Sequence, residues 1–164
     1  MPVYFIEQDD YFARPGLYGD GASDYADNAQ RFIFFCRAAL ALTEGRTWSP
    51  HVFHCHDWHT ALIPAFLRFL PELDARLSAA ATLFTIHNLA YQGWFPAWVF
   101  GITGLPLPLF QIAGVEFFGL MNFMKAGLHY AAQLLRSVPP MRTKFVRRSW
   151  ASDWMESYAN AVTY

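Results

Sequence analysis

Two short apolar runs, residues 50–55 and 81–86, flank residues 60–67, where Pro64 is placed for the first turn of a helix. Strand, helix and strand within about thirty-five residues make a βαβ crossover, which joins parallel strands in a right-handed sense. No other feature constrains the chain as much, because parallel strands demand an α/β architecture with helices packed on the sheet. A length of 164 residues allows one such domain with a sizeable core and leaves no room for a second. In open parallel sheets ligands gather outside the carboxyl ends of the strands. Those ends carry His54, His56 and Asp57 on one strand and His87 and Asn88 on the other, so polar residues stand where a crevice is expected.

Residues 2–6 form an apolar run that suits a buried strand. Residues 9–27 hold Asp9, Asp10, Asp20, Asp24 and Asp27 with Gly16, Gly19 and Gly21, the composition of a functional loop rather than a core element. Asp27 is placed to cap a helix over residues 28–42, with Phe32, Phe35, Ala39 and Leu42 on one face and Gly45 as its stop. Beyond Gly93 the pattern is irregular until residues 117–132, where Phe118, Met121, Met124, Lys125 and Leu128 predict a helix with a broad apolar face. Residues 97–115 are uncharged over nineteen positions, close to a bilayer-spanning length. Gly101, Gly104, Pro106, Pro108 and Gly114 would break a single lipid-exposed helix, so the expectation is no membrane span but an apolar surface, exposed or covered by self-association.

Hydrophobic residues make up 54% of the chain and charged ones 15%, which excludes a disordered polymer. Twelve Lys and Arg against thirteen Asp and Glu leave a net charge of -1, with no global field to attract nucleic acid or an acidic membrane. Basic residues do concentrate at Arg136, Arg142, Lys144, Arg147 and Arg148. Residues 136–164 are therefore expected to be a separate basic tail, loosely docked or disordered, with a short helix over residues 149–158. The opening residues lack a secretory leader, and Cys36 and Cys55 lack CxxC spacing. Both point to reduced thiols in a cytoplasmic protein.

Two constellations could carry chemistry. His54, His56, Asp57 and His59 form an HxHDxH cluster of residue types that ligate a divalent transition metal. It is similar to the HxHxDH of metallo-β-lactamase-fold hydrolases, with the aspartate one place early, and a cation held there would activate water against small esters or lactones. Convergence of the four depends on the turn after the strand, and hydrogen-bonded or core histidines are the plain alternative. The second is the run from His87 and Asn88 through Tyr91 and Gln92 to Gly93. An imidazole, amides and an aromatic ring in one crevice suit a sugar, whose hydroxyls need directional partners while its C–H face stacks on rings. A satisfied loop would look the same.

The segments YFIEQDDYFARPGLYGD, DYADNAQRFIFFCRAAL, HVFHCHDWHTALIPAFL, TLFTIHNLAYQGWFP and GVEFFGLMNFMKAGLHYA, in that order, resemble the N-terminal half of bacterial glycogen synthases and plant starch synthases. The likeness covers residues 1–135, and the HDWHTAL and TIHNLAYQG phrases are specific. It implies one Rossmann-like half of a GT-B enzyme that transfers glucose from ADP-glucose to an α-1,4-glucan with retention of configuration and without a metal cofactor. By the same resemblance His87 matches the catalytic-cleft histidine near the transferred sugar, with Asn88 its neighbour. Asp57 and Trp58 match positions facing the acceptor cleft, Tyr18 an aromatic on the glucan-facing loop, and Glu116 and Asn122 a motif lining the interdomain cleft. The family's KTGGL phrase, which holds the donor phosphates, has no counterpart here, nor do the arginine, lysine and glutamate of its C-terminal domain. The family's TTVSPTYA-like phrase degrades after Ala131. The resemblance thus implies a member truncated at both ends, which binds acceptor glucan and is not competent for transfer alone.

Overall fold

The computed structural model describes residues 2–44, 46–138 and 142–146. The elements are α1 (Asp9–Phe12), α2 (Asn28–Ala41), β1 (Val52–His56), α3 (Asp57–Thr60), α4 (Ile63–Phe69), α5 (Ala75–Ser78), β2 (Ala81–Ile86) and β3 (Trp94–Pro96). They continue with α6 (Val99–Thr103), a 3-10 turn (Leu107–Leu109), β4 (Glu116–Phe117), β5 (Leu120–Asn122), α7 (Phe123–Tyr130), β6 (Gln133–Val138) and β7 (Arg142–Val146). The main sheet has the order β1-β2-β6-β7, with β1, β2 and β6 parallel and β7 antiparallel to β6. A second, antiparallel sheet has the order β3-β5-β4.

The crossover predicted from sequence is present, with Val52 opposite Ala81 and His56 opposite Thr85. Its second strand is interior to the sheet, and Thr82, Phe84, Thr85 and Ile86 are all buried. The first is not the buried strand expected. Among the described residues β1 lies at the sheet's edge with a neighbour on one side only, and of its five residues Cys55 alone is buried. Residues 2–6 form no strand: among the described residues none pairs with them, and Val3 and Phe5 are 68% and 91% exposed. An apolar run becomes a strand only where a ladder takes up its backbone groups.

α2 covers the predicted span and buries Ala29, Phe32, Ile33, Cys36 and Leu40, one helical stripe. Asp27 stands at its N-cap but makes no side-chain capping bond. Its carboxylate instead takes Arg14 in a two-pronged pair, at 2.7 and 2.6 Å, which ties the acidic loop to the helix start. The expected stop, Gly45, lies outside the described residues. Pro64 sits in the first turn of α4 as expected. Phe66, Phe84, Phe123, Met124, Leu40 and Leu62 meet between sheet and helices with essentially no exposure. α7 approaches β2 closely because residue 127 is glycine: a Cβ there would lie 2.7 Å from the Phe84 ring.

Residues 117–132 are not one helix. Phe118 (φ 52°) and Gly119 (φ 77°) both take left-handed backbone, the geometry of a tight hairpin turn, and fold β4 back on β5. The helix starts only at Phe123, where the Asn122 side chain caps it by accepting from the Lys125 N–H at 2.9 Å. Nor is the preceding stretch irregular throughout, since β3 pairs with β5. Residues 97–115 are broken at Gly104, in left-handed backbone, and at the prolines, leaving Trp98, Leu107 and Ile112 exposed. Among the described residues no helix is long and apolar enough to cross a membrane. The expected basic tail begins as sheet: the backbone of residues 136–138 continues β6 and β7 returns along it. The helix expected over residues 149–158 lies outside the described residues.

Candidate functional site

At the carboxyl end of β1 the chain turns through Asp57, whose φ of 53° is left-handed, a conformation that costs a non-glycine residue about 1–3 kcal/mol. What holds it there is the end of β2. Asp57 Oδ1 accepts the backbone N–H groups of His87 at 2.7 Å and Asn88 at 3.3 Å. Thr60 secures the same turn from the other side, its hydroxyl accepting from the His56 N–H and donating to the His56 carbonyl. Asp57 Oδ2 makes no hydrogen bond among the described residues and is left for the cleft.

The turn separates the histidines. His54 Nε2 lies 2.8 Å from Thr85 Oγ1, and His56 Nδ1 lies 3.0 Å from His87 Nε2 with the two rings nearly parallel. Partial burial, then the neighbouring His54 and His87, lower the His56 pKa, which favours the neutral ring an imidazole–imidazole hydrogen bond needs. His59 leaves this row altogether. It stacks on Tyr18 at 5.0 Å and 12° and packs on Phe32 and Trp58, with Nε2 buried and unpartnered among the described residues. Burial lowers its pKa as well. The HxHDxH cluster therefore does not converge: among the described residues no group of three or more His, Cys, Asp or Glu is placed to hold a metal ion. The metal-dependent hydrolase of esters or lactones expected as an alternative loses its ligand set, because one left-handed residue sends His59 into an aromatic packing site.

A cleft of about 720 Å³ opens beside this turn. Of the residues predicted for the site, Tyr18, Asp57, Trp58, His59, Asn88, Tyr91 and Gln92 line it. His87 is not in the lining but adjoins it through Asp57 and Asn88. The sequence reading missed Asp24, Asn28, Trp94 and Phe95. Asp24 belongs to the acidic loop already marked as functional, whereas nothing in the local pattern distinguishes Trp94.

The walls are built from within. Asn28 Nδ2 donates to the Tyr18 carbonyl at 2.7 Å. The buried Arg31 guanidinium donates to the carbonyls of Tyr11 and Leu17 and to Asn28 Oδ1. One arginine thus holds the loop that carries Tyr18, and burial lowers its pKa. Burial and the Asp57 charge raise that of Tyr18, keeping the phenol protonated. Across the cleft, Gln92 is only 3% exposed, and its amide is engaged internally. Oε1 accepts Trp94 Nε1 at 3.0 Å and Asn122 Nδ2 at 2.7 Å, while Nε2 donates to the Leu89 carbonyl. Gly93 has a φ of 66°, and a Cβ there would meet Trp58 at 2.5 Å. The carbonyls of Gln92 and Gly93 accept from the first amides of α7, at Met124 and Phe123. Glu116 and Asn122 lie in this supporting layer, where the Glu116 carbonyl accepts from the ammonium of the buried Lys125.

A sheet with three parallel strands, whose strand ends open into a cleft of aromatic faces, carboxylates and amides, has the architecture of one Rossmann-like half of a GT-B fold. The chain belongs to the starch synthase catalytic domain family, whose model matches residues 1–141. It is 46% identical over 138 residues to glycogen synthase 2 of Geobacter sulfurreducens, covering 84% of this chain and 28% of that protein. To the glycogen synthase of Anaeromyxobacter sp. strain Fw109-5 it is 48% identical over 139 residues, covering 84% and 29%. Among solved structures, the catalytic domain of starch synthase IV from Arabidopsis thaliana bound to ADP and acarbose matches with a TM-score of 0.62 at 29% identity. That match covers 68% of this chain and 23% of the other. The chain spans about 28% of the length of the curated relatives it matches.

Proposed function

We propose that this chain is the acceptor side of a glucosyltransferase that extends an α-1,4-glucan from ADP-glucose, and that its cleft binds the glucan. The observation that carries the reading is the lining of that cleft. Tyr18, Tyr91 and Trp94 offer rings to pyranose C–H faces, while Asp24, Asp57 and Asn88 offer hydrogen-bond partners to hydroxyls. The Arabidopsis relative, bound to ADP and acarbose, supports the assignment of a sugar. In this reading His87 stands near the transferred glucose. Asp57 fixes the His87–Asn88 backbone through Oδ1 and offers Oδ2 to the acceptor. The donor's diphosphate is a different matter, since no Lys or Arg lines the cleft among the described residues.

Calorimetric titration of the 164-residue chain with maltoheptaose tests the proposal, with cellohexaose as the control. Saturable binding of maltoheptaose is expected, weakened by Tyr18→Ala or Tyr91→Ala and unchanged by chelator, because stacking and hydroxyl contacts hold the ligand. No saturable signal up to about 10 mM, well past millimolar affinity, overturns it.

A further inference from the structure

We propose that Asn28, turned by Arg31, is the residue that positions Tyr18 for the glucan, and that this relay serves acceptor affinity rather than the stability of the fold. The inference rests on the cleft binding glucan, as proposed above, and gives a task to a cleft residue to which neither phrase nor spacing pointed. Residues 18–25 form a small hairpin whose shape is set from within. The Tyr18 carbonyl accepts the Tyr25 N–H at 2.8 Å, Gly19 bridges Asp24, and the Asp20 N–H donates to the Ser23 carbonyl at 3.2 Å. None of these bonds fixes where Tyr18 stands relative to α2. Asn28, the first residue of that helix and 4% exposed, does so by donating Nδ2 to the Tyr18 carbonyl at 2.7 Å.

An amide can present either end to a neighbour, and here the choice is made for it. Arg31, one turn further along α2 and 1% exposed, donates Nη1 to Asn28 Oδ1, which leaves Nδ2 facing Tyr18. The same guanidinium donates to the Leu17 carbonyl at 3.0 Å and the Tyr11 carbonyl at 2.7 Å. Among the described residues no carboxylate hydrogen-bonds to it, and its remaining neighbours are the rings of Phe12, Tyr25 and Phe32. A buried cation with neutral partners is a costly way to hold a fold together. What it supplies, and an apolar side chain would not, is a fixed direction for the Asn28 amide. Tyr18, with its ring backed by His59 at 5.0 Å, is then in place before a sugar arrives and needs little ordering on binding.

Asn28→Asp separates the two arms of the relay. A carboxylate keeps the acceptor for Arg31, now as an ion pair, and suits the first turn of a helix. It also turns an oxygen, in place of a donor, towards the Tyr18 carbonyl. In calorimetry on the 164-residue chain, Asn28→Asp should bind maltoheptaose about tenfold more weakly while its urea midpoint stays at or above that of the wild type. In a Tyr18→Ala background the same substitution should change affinity by about twofold or less, because Asn28 acts through Tyr18. With 3-fluorotyrosine incorporated, the Tyr18 resonance, identified by Tyr18→Phe, should shift or broaden in Asn28→Asp before any ligand is added. Wild-type affinity in Asn28→Asp, or an equal loss in both backgrounds, overturns the inference and leaves the glucan reading intact. Absence of maltoheptaose binding by the wild type overturns both. Should Asn28→Asp fail to fold by circular dichroism, Arg31→Lys, which keeps the charge but not the fork, takes its place in the cycle with the same expected losses.

Discussion

At Asp57 one backbone angle decides where four side chains go. The left-handed turn ends β1, presents Oδ1 to the amides of His87 and Asn88, keeps His56 beside His87, and sends His59 to Tyr18. Replacement by Ala keeps the strain and removes the acceptor of both amides, so Asp57→Ala should lower unfolding free energy by about 1.5–3 kcal/mol in urea titrations. Asp57→Gly loses the same bonds but accepts the positive φ, and should be less damaging by about 1 kcal/mol. Asp57→Asn keeps an acceptor and tolerates left-handed backbone, and should be the mildest. Equal losses for Ala and Gly would show that strain at this position is not the issue. His59 makes a second prediction. Burial lowers its folded pKa below the unfolded value, so the unfolded chain binds the proton more readily. Its contribution is fully present above the unfolded pKa of about 6.5 and is lost as pH falls through that value towards the folded one. His59→Phe should flatten the fall in stability between pH 7 and 5, leaving the part due to His56, whose pKa is lowered in the same direction. The types and spacing in HxHDxH were legible in the sequence. The sign of one φ was not, and that sign turns an apparent ligand set into one hydrogen-bonded row and one packed ring.

At the scale of elements, α7 lies against β2 where Gly127 faces the Phe84 ring. Gly127→Ala would place a methyl against the Phe84 ring, which is fully buried and has nowhere to move. Overpacking of this kind costs about 1–3 kcal/mol and should outweigh the ~0.5–1 kcal/mol that Ala gains over Gly in a helix. A double variant with Phe84→Leu should recover much of the loss, measured as a coupling in a urea-denaturation cycle; additive effects would contradict the clash. Of the strands that build the main sheet, β1 and β2 were readable because β-rich apolar runs ended by polar residues are local signals, whereas β6 and β7 were not. β2 matches its predicted bounds for that reason. The hairpin of β4 and β5 was not readable, since Phe118, Met121, Lys125 and Leu128 mimic a helical period. What breaks that period is a two-residue turn in which only Gly119 favours the required backbone. Burial of β1 and pairing of residues 2–6 depend on which strands lie alongside, a property of the sheet rather than of either segment.

For the whole molecule, the decisive quantity is the charge around the cleft. Transfer of glucose from ADP-glucose develops negative charge on the departing diphosphate, and preorganised cations or N–H donors aimed at it supply much of the rate. This cleft offers Asp24 and Asp57 instead, with His59 held neutral by burial and no Lys or Arg in the lining among the described residues. The two carboxylates suit neutral sugar hydroxyls and repel a nucleotide diphosphate, a preference that lowering the salt concentration would sharpen. The 164-residue chain should therefore bind maltoheptaose yet incorporate no labelled glucose from ADP-glucose above a His87→Ala control. ADP should bind at least tenfold more weakly than the glucan, and low salt should widen that gap. Incorporation above the control would mean that the cleft finds cationic stabilisation elsewhere in the chain. Tight, salt-insensitive ADP binding would place the nucleotide, rather than the acceptor, against the aromatic wall.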